Sequence, residues 1–257
     1  MKRTLFHQAR PAVAMIELIF AIVIIGIVLM SAPNLIRTVE KSGYVAIQQE
    51  AINEAAAHLN MVIGYHWDEN DANESFLDPV LHVTSGDSGL DEVLLPDGNK
   101  SGRRAGTPKE SYRKFIRSDG NDDLNASTIL GLDSGESKGQ EDDIDDFNGE
   151  PPYHLSNEGS PVTTTCTSDY VEKTTDISIT TMVSYASDSP GGGGYIDPGS
   201  DKKITFNFPG AHSASTNIKK INVTLTSNSG VSELQKTIIL KAFSCNIGAT
   251  KLEERHF

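Results

Sequence analysis

Cysteine is scarce in this chain, with only two in 257 residues. That excludes any disulfide framework beyond a single bridge. Basic residues are also few, 22 Lys and Arg against 35 Asp and Glu, for a net charge of −13. Phosphate backbones are bound by clustered Lys and Arg, so this balance argues against nucleic acid as a partner. The seven histidines are scattered, and none falls in a His-Glu-x-x-His pattern. Gly191–Gly194 is followed by no Lys-Thr and opens no helix, so it is not a phosphate-binding loop. Gly86-Asp87-Ser88-Gly89 echoes the nucleophile segment of trypsin-like proteases, but it lies in a Gly/Asp/Ser-rich stretch with no paired histidine context. The expectation is a protein that is not an enzyme.

What the chain does have is unevenly placed. Residues 68–150 hold 21 Asp and Glu against 8 Lys and Arg, which alone accounts for the net charge. The first twelve residues carry Lys2, Arg3 and Arg10 and no acid. An apolar block follows, dense from Ile16 to Met30. A basic start before an apolar run is an export or membrane-insertion signal. The positive flank stays in the cytoplasm, so the remainder crosses to the far side. From Leu18 to Ala32 no residue is charged. Those fifteen residues span about 22 Å as a helix, short of a roughly 30 Å hydrocarbon core. Extending the run back to Ala12 brings Glu17 inside it. A charge deep in a membrane helix costs roughly 2.5–3.5 kcal/mol on insertion scales, so a lone acid there implies a partner for its charge.

With those residues in place, the segment resembles the type IV prepilin signature. That family has a short basic leader, a small residue before the cut, and Glu as the fifth residue of the mature chain. The match puts the cut between Ala12 and Val13, makes Val13-Ala14-Met15-Ile16-Glu17 the mature start, and aligns Ile24-Ile25-Gly26 with the family's Ile-Ile-Gly run. The chain departs from the pattern in having Ala12 where Gly is usual, Val13 where Phe or Met is usual, and Pro33 one place early. The resemblance covers about residues 10–35. It implies removal of residues 1–12 by a prepilin peptidase and methylation of the Val13 amine. It also implies pairing of Glu17 with the amine of a neighbouring subunit. The partners implied are other pilin or pseudopilin subunits, the peptidase, an inner-membrane assembly platform and membrane lipid. The implied placement is a single pass of the inner membrane, with the C-terminal domain periplasmic or in a surface filament. A plain single-pass anchor with an accidental acid is the competing reading.

Beyond Pro33 the pattern stays helical. Leu35, Ile36 and Val39, then Ile52, Ala55, Ala56, Leu59, Val62 and Ile63, recur at steps of three and four. Gln48, Gln49, Glu50, Asn53 and Glu54 fill the other side. One helix from about Val13 to Ile63, ended by Gly64, would be about 75 Å long. Residues 65–160 read as an acidic, loop-rich region punctuated by Gly, Asp, Asn, Ser and Pro. Strand signals follow at Asp176–Tyr185, Lys203–Phe208, Ile218–Thr226 and Thr237–Phe243. The expected fold is α+β: a long N-terminal helix, membrane-spanning over 13–33 and amphipathic over 34–64, packed on an antiparallel sheet within 161–257.

Three local features carry chemistry. Cys166 and Cys245 are expected to form a bridge in an oxidising compartment, worth roughly 3–5 kcal/mol in the chain-entropy model; two buried thiols are the alternative. Asp142, Asp143, Asp145, Asp146 and Glu150 supply the oxygen ligands that Ca²⁺ requires, although EF-hand spacing is not met. A solvated acidic loop accounts for the same residues. Asn73 and Asn125 head Asn-x-Ser sequons with an acid two residues earlier, as in the extended bacterial glycosylation sequon, and Asn222 heads a third. Chance in an acidic sequence competes with that reading. Together these features give two functions from different classes. One is a minor pilin or pseudopilin of a type IV pilus, type II secretion or DNA-uptake system. The other is a non-polymerising, membrane-anchored periplasmic binding module with calcium among its ligands.

Overall fold

The structure is a computed structural model. It describes residues 11–71, 79–108, 113–115, 117–118, 122–156, 176–190, 211–227, 232 and 234–248. The chain divides into two units, Met1–Glu50 and Ala51–Phe257.

Helix α1 runs unbroken from Pro11 to Ile63, with Pro33 inside it. Its burial changes at the unit boundary. Described side chains from Ala14 to Glu50 are exposed or half-exposed, whereas Ala51, Ala55 and Val62 are buried. The steps of four and seven place those three on one face, as packing of a helix stripe requires. The helix stops where expected: Gly64 N donates to Met61 O at 2.9 Å and Tyr65 N to Val62 O at 3.2 Å.

In the second unit, Glu92–Leu94 (β1) pairs with Lys100–Arg104 (β2), and Arg117–Ser118 (β3) with Asp122–Asp123 (β4), both antiparallel. The main sheet has four antiparallel strands in the order Tyr153–Ser156 (β5), Asp176–Ala186 (β6), Ile218–Ser227 (β7) and Ile238–Cys245 (β8). Three of these fall on expected strand segments. The expected segment Lys203–Phe208 lies outside the described residues. The remaining strand, β5, comes instead from the region expected to be loops.

Residues 177, 179, 181, 183 and 185 of β6 pair with 227, 225, 223, 221 and 219 of β7, so one parity of each strand shares a face. That face carries the core: Ile177, Ile179, Val183, Ile221, Val223 and Leu225 are all buried. The packed end of α1 is tied to it by His58 Nε2, 2.8 Å from Thr181 Oγ1. The acidic region is also packed more fully than its composition suggests. Trp67, Val80, Leu81, Phe115, Ala126, Ile144 and Phe147 are buried, because short apolar islands between the turns reach the core. In the protease-like motif, Asp87 is engaged locally, accepting from Gly89 N at 2.8 Å to cap the 3-10 turn Ser88–Leu90.

Among the described residues Cys245 is free and half-buried. Burial pushes its thiol pKa up, partly offset by Arg104. The other half of the expected bridge, Cys166, lies outside the described residues.

Candidate functional site

Two places carry the residues that matter. The first is the N-terminal unit. Among the described residues α1 is the one helix long and apolar enough to cross a membrane. Its large apolar side chains from Met15 to Met30 are all exposed, Met30 at 81%. Glu17 is the only charged residue between Ala14 and Ile36 and is itself exposed on this apolar surface. Ala12 and Val13 lie in the first turn of the helix. An apolar stripe of this length left bare of protein needs either lipid or other helices around it.

The second place is in the other unit, where the loop after α1, the loop 133–150 and the face of β7 meet. Its centre is Lys219, which is fully buried. Its Nζ donates to Trp67 O at 2.5 Å, to Asp68 Oδ2 at 3.1 Å and to Asp145 Oδ1. The ammonium also stands 4.5 Å from the Trp67 ring centroid and 5.7 Å from that of Tyr185. Both carboxylates are buried with it. Asp68 further accepts from Ser127 N at 2.9 Å and Ser127 Oγ at 3.1 Å, and Tyr185 Oη donates to Ser127 O at 2.6 Å. A buried charge is tolerated only when it is paired and hydrogen-bonded, and every member of this group is. Burial pulls the Lys219 pKa down, but Asp68, Asp145 and Asp143 outweigh it, and the net shift is upward.

Most of the five carboxylates expected to share a cation are engaged by other groups of the protein. Asp145 is held by Lys219. Asp143 Oδ1 accepts from the backbone N–H groups of Asp145 (2.7 Å) and Asp146 (3.1 Å). Asp146 Oδ2 accepts from Asp142 N (3.0 Å) and Asp143 N (3.2 Å). Glu150 meets the carboxyl of Glu141. Asp142 alone joins a different set: carboxylate oxygens of Glu69, Glu136 and Asp142 all lie within 4.8 Å of one another. Three hard oxygen donors at that spacing suit Ca²⁺ in donor type and charge. Their mutual repulsion is visible in Glu69, whose pKa burial and then the charge of Asp142 raise to about 7. Asp133 and Glu136 are also shifted upward, by burial first and then by neighbouring carboxylates, with a backbone hydrogen bond from Asp133 partly opposing the shift of Glu136.

The sequons fare differently. Asn125 is exposed, but its sequon hydroxyl, Ser127 Oγ, is taken up by Asp68. Asn222 sits within β7, paired on both sides. Asn73 lies outside the described residues.

Compared with known proteins, the chain matches no protein-family profile, no curated protein and no solved structure. The functional reading therefore rests on the residues themselves.

Sequence reasoning missed Glu69, Glu136 and Lys219. Glu69 and Glu136 carry no local signal, since each is one acid among many. Lys219 did carry one. It has the same parity along β7 as Ile221, Val223 and Leu225, which marks it as inward-facing.

These shifts predict a pH dependence. Asp143 is raised to about 8 by burial and the charge of Asp145, partly countered by Lys219. Asp145 is raised to about 6 by burial, partly offset by Lys219. Glu69 is raised to about 7. A carboxyl whose pKa rises on folding holds its proton more tightly in the folded chain than in the unfolded one. Stability then falls as pH climbs from the ordinary carboxylate range. Urea unfolding in a chelating buffer should give greater stability at pH 5 than at pH 8, the loss being steepest between about pH 5 and 6 and flattening toward pH 8 as Asp145, Glu69 and then Asp143 ionise in the folded chain. Constant stability across that range would refute it.

Proposed function

We propose that the chain is a pilin-like structural subunit, a minor pilin or pseudopilin. A prepilin peptidase cuts it between Ala12 and Val13, and it enters a filament or pseudopilus of a type IV pilus, type II secretion or DNA-uptake machine. The observation that carries this reading is Glu17, one acid at the family spacing on a helical stretch, Ala14 to Ile36, that is otherwise uncharged and exposed. Outside lipid such a surface would aggregate. Inside lipid alone, the carboxylate would be left without a counter-charge. A bundle of like helices answers both, because each newly cut Val13 amine supplies a cation for a neighbour's Glu17. The role is mechanical. Mass spectrometry of protein made in cells with the peptidase should find Val13 as the N-terminal residue, methylated. Protein still beginning at Met1 would end this reading.

A second reading, a membrane-anchored calcium-dependent module that does not polymerise, is favoured by the Glu69, Glu136 and Asp142 oxygens. On that reading Ca²⁺ should raise the unfolding free energy by about 2.7 kcal/mol at a hundredfold excess over its Kd. The gain should be larger at pH 8 than at pH 6, since the Glu69 proton must leave for the metal to bind. Glu136→Gln should abolish it. Equal stability with calcium and with chelator would remove the metal from either reading.

A further inference from the structure

We propose that a cavity beside the packed end of α1 receives the cationic side chain, arginine or lysine, of a protein partner. The cavity has a volume of about 240 Å³. That is below the usual range for cofactor or drug-sized ligands, and it suits a single side chain. Its apolar wall is formed by Met61, Pro151, Tyr153 and Ile179, with the buried Phe147 behind. Two carboxyls, Glu141 and Glu150, line it and touch each other. Glu150 Oε1 is buried and accepts no hydrogen bond. Glu141 accepts from Gly139 N at 2.7 Å, which fixes its place.

A buried acceptor with no donor costs free energy that an incoming N–H recovers. A guanidinium or ammonium recovers more, because the bond is charge-assisted and relieves the repulsion between the two acids. The apolar wall matches the methylene stem of such a side chain, which packs on apolar surface while its head stays polar. Tyr153, 54% exposed, is the aromatic residue of the lining that is open to solvent, and an aromatic ring attracts a cation. Lys138 also lines the cavity and is exposed. It is the cation that an incoming side chain must displace. This inference does not depend on the filament reading, since both readings place the second unit where other proteins can reach it.

The test is a titration of the full chain in detergent micelles, followed through the methyl signals of Met61 and Ile179. The probes are n-butylguanidinium, its neutral counterpart butyramide, and the capped tripeptide acetyl-Gly-Arg-Gly-amide. The expected result is saturable shifts with the guanidinium and the tripeptide and none with butyramide. Glu150→Gln, which keeps the shape, should weaken binding on the order of tenfold. Lys138→Ala, at an exposed position that leaves folding intact, should tighten it. Equal binding of butyramide, unchanged affinity in Glu150→Gln, or a tripeptide that fails to bind would overturn the proposal.

Discussion

Replacing Glu17 by Ala or Gln should abolish filament assembly while the chain still enters the membrane. The two effects separate because they depend on different properties of the same helix. Insertion responds to the summed transfer energy of the apolar run, and removing an acid improves that sum by roughly 2.5–3.5 kcal/mol on insertion scales. Assembly, on the pilin reading, depends on one charge per subunit finding one newly cut amine on a neighbour. Gln keeps the size of Glu and can still accept a hydrogen bond, but it has no charge to pair. If Gln assembled as well as Glu, the acid would matter only for its shape. Carbonate extraction of membranes would report insertion, and shearing with electron microscopy would report filaments. Loss of both together, or of neither, would contradict the pairing argument.

The second large effect is expected at Lys219. Lys219→Met should cost about 3–5 kcal/mol, because it leaves Asp68 and Asp145 buried with no counter-charge. Native domains are stable by only about 5–15 kcal/mol, so such a loss consumes much of the total. The single variant should unfold at far lower urea than the parent. The triple variant Lys219→Met, Asp68→Asn, Asp145→Asn should recover a large part of the loss, because neutral amides leave no unpaired charge to bury. A single variant within about 1 kcal/mol of the parent would show that water reaches the cluster and screens it. The cluster lies in the unit beginning at Ala51, so it does not depend on how the apolar part of α1 is used.

The two predictions differ in how far the sequence foretells them. Glu17 stands out on reading the chain because its neighbours are all apolar and the pattern is local. Lys219 is harder to find. Its acidic partners lie 151 and 74 residues away along the chain, and only the packing of their loops against β7 brings them together. The acidic run 141–150 shows the converse. Residues adjacent in sequence read as one ligand set, yet in the fold several have other partners, Asp145 being held by the distant Lys219. Asp143 and Asp146 then serve backbone N–H groups. Asp142 is the one that reaches Glu69 and Glu136.

By itself, the sequence determined the long helix to Ile63, the membrane-length apolar surface with its single acid, and three of the four strands of the main sheet. Each of these depends on periodicity or composition over ten to twenty neighbouring residues, and such signals survive without knowledge of the rest of the chain. Only the tertiary structure decided the burial of Lys219, the grouping of Glu69 with Glu136 and Asp142, and the recruitment of Tyr153–Ser156 as an edge strand. In each of those the partners are distant in sequence, and only folding brings them together.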